Sequence, residues 1–137
     1  MSYDTLIQLT EIHNEARFGF TSALFGQRAC LEGEIAVFQW MRQLCTAYNG
    51  GFWRFYRLSN GGLFMAPSAN EPMHLTWPMN WSDEHVSCQA AGIVVTLFAL
   101  SQMMQSHSDE LLTENYQLLR EYLVEHPEAG AMLRLID

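Results

Sequence analysis

No lysine occurs in this 137-residue chain; its seven basic residues are all arginines, set against fifteen acids for a net charge of −8. So sparse a cationic complement argues against a protein that wraps duplex DNA through its phosphates. The imbalance is also uneven. Residues 1–70 carry five acids and five arginines, whereas residues 71–137 carry ten acids and only Arg120 and Arg134. An acidic surface of this kind keeps a chain soluble and suits a basic partner.

Cysteine is scarce as well. Cys30, Cys45 and Cys88 are odd in number, and none sits at metal-ligand or redox-motif spacing. They are expected to be reduced, mostly buried thiols in a cytoplasmic protein. Met1-Ser2-Tyr3-Asp4-Thr5 offers no basic region leading into an apolar run, so no secretory signal is expected. The longest strongly apolar stretch, Ala90 to Leu100, is short for a bilayer span. No phosphate loop, nucleophile elbow or HExxH pattern is present. No enzyme activity and no cofactor are therefore expected. Repeats, low-complexity runs and linkers are also missing, which leaves residues 1–137 as a single domain. Such a chain buries roughly two thirds of the surface its unfolded form exposes.

What is present reads as helices around a group of strands. Residues 3–14 predict a short helix with Leu6, Leu9 and Ile12 or His13 on one side. Residues 16–30 predict a loop or short helical turns. Residues 31–48 predict a helix whose stripe is Leu31, Ile35, Phe38, Met41 or Arg42, Cys45 and Tyr48, widened by Val37, Trp40 and Leu44. Asn49-Gly50-Gly51 is its expected stop. Phe52 to Leu58 and Leu63 to Ala66 flank Asn60-Gly61 and predict a hairpin with a two-residue turn. Extended runs at Met73 to Trp77 and Glu84 to Val86 follow, around a turn at 78–81. Ser87 is a candidate cap for a buried helix to about Ser106, in which Ala90, Ala91 and Gly92 permit close approach of another element. Ser108 is a candidate cap for the next helix, with the stripe Leu112, Tyr116, Leu119 and Leu123. Pro127 is the expected start of a last helical turn through Leu135. Strands grouped between helices indicate an α+β fold, a small antiparallel sheet of three or four strands packed with several helices.

The two-residue turn sets Leu58 opposite Leu63 and Tyr56 opposite Met65. Phe52, Arg54, Tyr56, Leu58, Leu63 and Met65 then share one face, and Trp53, Phe55, Arg57, Phe64 and Ala66 the other. Both faces are mostly apolar, as in a hairpin covered on both sides. Arginine beside aromatics is also the composition of binding hot spots. The candidate partner-binding residues are Trp53, Arg54, Tyr56, Arg57, Ser59 and Asn60. A second candidate is the acidic set Asp109, Glu110, Glu114, Glu121 and Glu125, of which the last three share a helical face by their spacing of seven and four. The histidines at 13, 74, 85, 107 and 126 are scattered. A four-residue turn at 78–81 puts His74 across from His85, with Asp83 on the same face beside the turn. Two histidines fall short of the three protein ligands a zinc site needs, so no metal is expected.

Six blocks resemble the antirestriction protein family of the ArdB/KlcA type. They are Glu32-Gly33-Glu34, Trp40-Met41-Arg42, Tyr48 to Trp53, Leu58 to Pro67, Ala90 to Leu100, and His126 to Ala131. They fall in family order over nearly the whole chain, from about residue 17 to Asp137. Arg57 departs from the pattern, since the position before Leu58 is often acidic in the family. The resemblance implies a small protein of mobile elements that shields incoming DNA from type I restriction by binding protein, either the restriction complex or a host factor. It implies no stable DNA binding and no membrane, with a monomer or weak dimer expected. Acidic DNA mimicry sits poorly with a net charge of −8 on a 15.7 kDa body, because duplex DNA carries one charge per ~1.7 Å of axis. The alternative is a nucleic-acid-associated accessory protein that uses Trp53, Phe55 and Arg57 as a stacking site.

Overall fold

The computed structural model describes residues 6–137. Along the chain it runs β1 (Leu9–Ile12), a 3-10 turn (Asn14–Arg17), α1 (Phe20–Leu44), β2 (Trp53–Leu58), β3 (Leu63–Pro67), β4 (Met73–Trp77), β5 (Ser82–Val86), α2 (Cys88–Ser106), α3 (Glu110–Glu125) and α4 (Ala129–Ile136). The class is α+β, but the strands divide into two antiparallel sheets. One has the order β1-β2-β3; the other is the β4-β5 hairpin alone.

The N-terminal segment corrects the sequence reading. Residues 9–12 are a strand, not part of a helix, and pair with β2 from Leu9 opposite Leu58 to Ile12 opposite Phe55; residues 3–5 of the expected helix lie outside the described residues. A short isolated helix is marginal in water, and a free strand edge rewards pairing more.

Residues 16–30 are also more regular than expected. Most of them belong to α1, which bends at Gly26, where φ is +81° and ψ 159°. The bend frees carbonyls that a straight helix would bond internally. Asn115 of α3 answers it: its buried side-chain amide donates to the carbonyls of Ala23 at 3.0 Å and Leu24 at 2.8 Å. The stripe expected on this helix holds in its second half, where Val37, Met41, Leu44 and Cys45 are buried, and fails in its first. Leu31 is 69% and Ile35 46% exposed, while Gly33 and Ala36 face inward. At that level periodicity singled out the large side chains, whereas close packing selected small ones. The helix ends at Leu44, so Asn49-Gly50-Gly51 lies in the loop to β2 and does not stop it.

α2 is the buried helix the sequence predicts. Its cap is Ser87, whose Oγ accepts from the Ala90 amide at 3.1 Å. By length and composition alone its 19 residues, at mean hydropathy 1.3, are enough to cross a bilayer, more than the Ala90–Leu100 stretch suggested; in this fold two thirds of it is buried. It runs against β3. A Cβ on Gly92 would lie 2.3 Å from the Ala66 Cβ and 2.5 Å from the Met65 carbonyl oxygen. One turn on, the buried Thr96 hydroxyl sits 3.3 Å from both the amide nitrogen and the carbonyl oxygen of Met65. α3 is capped by Asp109, which accepts from the Leu111 amide at 3.0 Å, and not by Ser108. A carboxylate here serves both the cap and the helix dipole. α4 begins at Ala129, two residues beyond Pro127. One apolar cluster joins these elements, from Ile12 in β1 to Leu135 in α4.

Gly92→Ala is expected to destabilise the fold by roughly 1–3 kcal/mol, because the obstruction is backbone and a neighbouring Cβ, neither of which can swing aside. Denaturant unfolding checks this; an unchanged midpoint would show that α2 can back away from β3 freely.

Candidate partner-binding surface

β2 and β3 join through a three-residue loop. Leu58 and Gly62 exchange the closing bond (amide to carbonyl, 2.8 Å), and the Gly61 amide donates to the Leu58 carbonyl at 2.9 Å. Gly61 alone in the loop has positive φ, +95°. This is a turn centred on Ser59-Asn60 followed by a left-handed glycine, not the two-residue turn at Asn60-Gly61. The extra loop residue slips the register by one. Arg57 opposes Leu63, Tyr56 opposes Phe64 and Phe55 opposes Met65. Trp53, Phe55 and Arg57 therefore share a face with Leu63, Met65 and Pro67, while Arg54, Tyr56 and Leu58 share one with Phe64 and Ala66. A one-residue slip moves a whole strand to the other face.

Most of the six candidate residues have internal partners. Trp53 is buried, edge-on to Phe38, and donates its indole N–H to the Tyr48 hydroxyl at 2.8 Å. Arg54 lies 3.0 Å from both carboxylate oxygens of Glu11 across the sheet, and its Nε donates to Ser68 Oγ at 3.0 Å. Tyr56 is half-buried and stacked on Phe64; burial, then the charge of Glu11, holds its hydroxyl above the ordinary pKa. Ser59 exchanges two 2.8 Å bonds with the Gln8 backbone, accepting at Oγ and donating from its amide. Asn60 donates to the Leu118 carbonyl at 3.0 Å and to Glu121 Oε1 at 3.1 Å, and accepts from the Gly62 amide at 2.8 Å. Arg57 is exposed, and among the described residues no hydrogen bond or ion pair engages it. Phe55 is stacked on Phe20 at 4.2 Å, with the Arg17 guanidinium 3.9 Å from its ring centre. The rings expected to stack on bases are thus covered by the protein itself.

The acidic set lies next to this hairpin. Glu121 meets Asn60, and Glu125 accepts the Ile7 amide at 2.8 Å. Asp109 is the α3 cap, and Glu110 and Glu114 are exposed. The two candidate surfaces touch at Asn60–Glu121.

The start of α2 carries a clamp that the sequence did not disclose. Glu128 accepts from the Ser87 amide at 2.9 Å and from its hydroxyl at 2.5 Å. The Glu128 amide in turn donates to His126 Nδ1 at 3.0 Å, so His126 Nε2 carries the proton it shares with Gln89 Oε1 at 2.8 Å. The block beginning His126-Pro127-Glu128 thereby locks the α3–α4 corner to the cap of α2. Beside α2 and α3, a polar cleft of about 370 Å³ is lined by Arg28, Ala29, Ser106, His107, Ser108 and Asp109. Two of its titratable groups have partners: Asp109 caps α3 and His107 bonds Glu32 at 3.2 Å.

The β4-β5 hairpin holds two features missed or undervalued in the sequence. His74 does oppose His85, and the Thr76–Asp83 pairing sets Asp83 diagonally beside His74, with Oδ1 2.6 Å from Nε2. At the turn, Trp81 is 91% exposed with φ +60°. Asn80 explains the strained turn: it donates to the carbonyls of Arg134 and Leu135 at 3.2 and 2.9 Å, and accepts from the Ser82 amide at 3.1 Å. Arg134 reinforces the docking with two bonds to Glu84, 2.7 and 3.0 Å, which hold that carboxyl below its ordinary pKa.

Residues 46–137 match a family model described as antirestriction protein. Two Escherichia coli proteins named antirestriction protein KlcA are 39% and 41% identical; the matches cover 88% and 96% of this chain and 88% and 94% of theirs. A solved structure superposes with a TM-score of 0.85 at 38% identity, covering 96% of this chain and 95% of its own. It comes from work on KlcA and ArdB that describes a novel fold and antirestriction activity against type I DNA restriction systems in vivo but not in vitro.

The clamp makes stability depend on pH. Burial pushes the His126 pKa below its ordinary 6.5, against a smaller opposing pull from Glu128. Below that value the unfolded chain takes up a proton that the folded chain refuses, so stability falls as pH drops from 6.5 toward the folded pKa. His126→Gln is expected to flatten this part of the profile. Chemical denaturation at a series of pH values checks it; an unchanged slope in the variant would remove His126 from the account.

Proposed function

Because this chain belongs to the antirestriction protein family, we propose that it protects incoming mobile-element or phage DNA by inhibiting type I restriction-modification systems. The observation that carries the reading is similarity along almost the full length of both chains to KlcA in sequence and to the KlcA/ArdB fold in structure. The inhibitor acts by binding protein, in the cytoplasm, as a monomer or weak dimer, without catalysis or cofactor. Its target is the restriction complex or a host factor that the complex needs. The activity described for the related structure, in vivo but not in vitro, favours the second. A ligand that simply blocked the DNA channel of the nuclease would act on the purified enzyme as well.

Charge placement favours protein binding over DNA mimicry. Glu11 is tied to Arg54, Glu84 to Arg134 and Glu128 to Ser87 on separate parts of the body. A row of charges at the ~1.7 Å axial density of a duplex is not built this way. The docking surface is the hairpin, with the acidic face of α3 as the alternative. Arg57 is its exposed arginine, and at a position often acidic in the family it tunes target or strength.

Three folded variants test the surface by protection of unmodified phage DNA in restricting cells: Arg57→Ala; Arg54→Ala with Arg57→Ala; and Glu114→Gln, Glu121→Gln with Glu125→Gln. Loss of protection at least about tenfold in Arg57→Ala at an unchanged melting temperature, and at least as large a loss in the double variant, which also releases Glu11, is the expected result. Loss only in the glutamine variant transfers the site to the acidic face. In a salt titration with labelled duplex DNA, the protein is expected to show almost no binding; strong salt-sensitive binding would replace this mechanism with a nucleic-acid one.

A further inference from the structure

We propose that His74, Asp83 and His85 form a binding site for a divalent transition-metal ion on the open face of the β4-β5 hairpin. The three side chains come from facing positions of two antiparallel strands, so the backbone pairing itself brings them together. The two imidazole rings stack at 4.3 Å with only 4° between their planes, so they are close neighbours whose in-plane lone pairs run parallel until the rings tilt toward a common ion. One ligand atom from each of the three residues falls within 4.8 Å of the other two. A zinc ion with bonds of about 2.0–2.2 Å needs its ligands roughly 3.3–3.5 Å apart. Exposed side chains close that gap by χ rotations that tilt the rings out of the stack, with no movement of the strands.

The donor set selects the ion. Two imidazoles and one carboxylate suit zinc, nickel or copper, whereas calcium and magnesium take oxygen ligands. The hydrogen between His74 Nε2 and Asp83 Oδ1 marks where the ion would enter. Binding removes that shared proton, and both atoms then turn their lone pairs to the metal. Three protein ligands leave at least one coordination position to water. The competing account is a surface ion pair, in which the same 2.6 Å contact has no further role. Other potential donors lie elsewhere in the chain: His13, His107, His126 and the partly exposed Cys30. The test must separate them.

The protein, stripped with a chelator and dialysed, is titrated with zinc chloride at about pH 7.5 by isothermal calorimetry, alongside His74→Ala/His85→Ala, Asp83→Asn and Cys30→Ser. One saturable equivalent is expected in the wild type and in Cys30→Ser. Affinity is expected to fall at least about tenfold in Asp83→Asn and further in the double histidine variant. Because the altered side chains are exposed, the variants should keep the metal-free melting temperature, which is measured first; imidazole resonances of the folded wild type, followed during the titration, report His74 and His85 independently of any variant. Absence of saturable binding in the wild type overturns the proposal. So does binding of equal affinity in the double variant, or a titration that leaves the His74 and His85 resonances in place.

Discussion

The close seating of α2 on β3 is the contact around which the other elements are arranged. β3 is the outer strand of its sheet, and an uncovered outer strand leaves backbone donors and acceptors open to any passing chain. α2 covers that edge. Gly92 lets the helix backbone come down onto Ala66, and the Thr96 hydroxyl answers both backbone atoms of Met65. A bulkier residue at 92 would lift the helix, and the hydroxyl at 96 would no longer reach. α1 and α3 then pack on the rest of α2, and Glu128 fixes where the helix begins.

Each hairpin is joined to the helical layer by one asparagine. Asn60 reaches the Leu118 carbonyl and Glu121 on α3; Asn80 reaches the carbonyls at the end of α4. In both cases the side-chain oxygen also closes the hairpin's own turn, through Gly62 or Ser82. One small side chain thus does two jobs, shaping a turn and holding it down. The same economy runs through the blocks that carry the family resemblance. Leu58 to Gly62 makes the anchored turn, Ala90 to Leu100 makes the close helix–strand contact, and His126 to Glu128 makes the clamp.

Much of the architecture was legible because it rests on local chemistry. The cap at Ser87, the all-round apolar α2 and the strands on either side of the two turns follow from residue type and period. Three features did not follow. β1 is strand only because β2 offers an edge, which is a long-range fact. Midway along α1, Gly33 and Ala36 face inward in place of Leu31 and Ile35, and an apolar stripe cannot announce that. The hairpin register hinges on whether the loop has two residues or three, and Asn-Gly is compatible with both; Leu58 and Gly62 decide it by bonding each other. That last slip matters for the candidate surface, since it gives Trp53, Phe55 and Arg57 the face-mates Leu63, Met65 and Pro67 in place of Phe64 and Ala66. Of the six residues singled out, the composition of the segment was informative but the destination of each side chain was not. The sequence reading places Asp83 on the face of His74 and His85, but its direct contact with His74 comes from diagonal pairing, and Trp81 escaped notice because a strained turn has no signature in the linear order.

The anchoring of Asn60 to α3 also bears on the entropy of association. Loop tips are usually where a binding protein must surrender freedom, at about 0.5–1.5 kcal/mol for each side chain that is immobilised on contact. Here Ser59 and Asn60 are already held by Gln8, Leu118 and Glu121 before any partner arrives. On the proposed binding mode, the hairpin tip therefore meets its target with Ser59 and Asn60 already ordered. What such a surface recognises is decided by its shape in the free state, and little of the binding free energy is consumed in forming it.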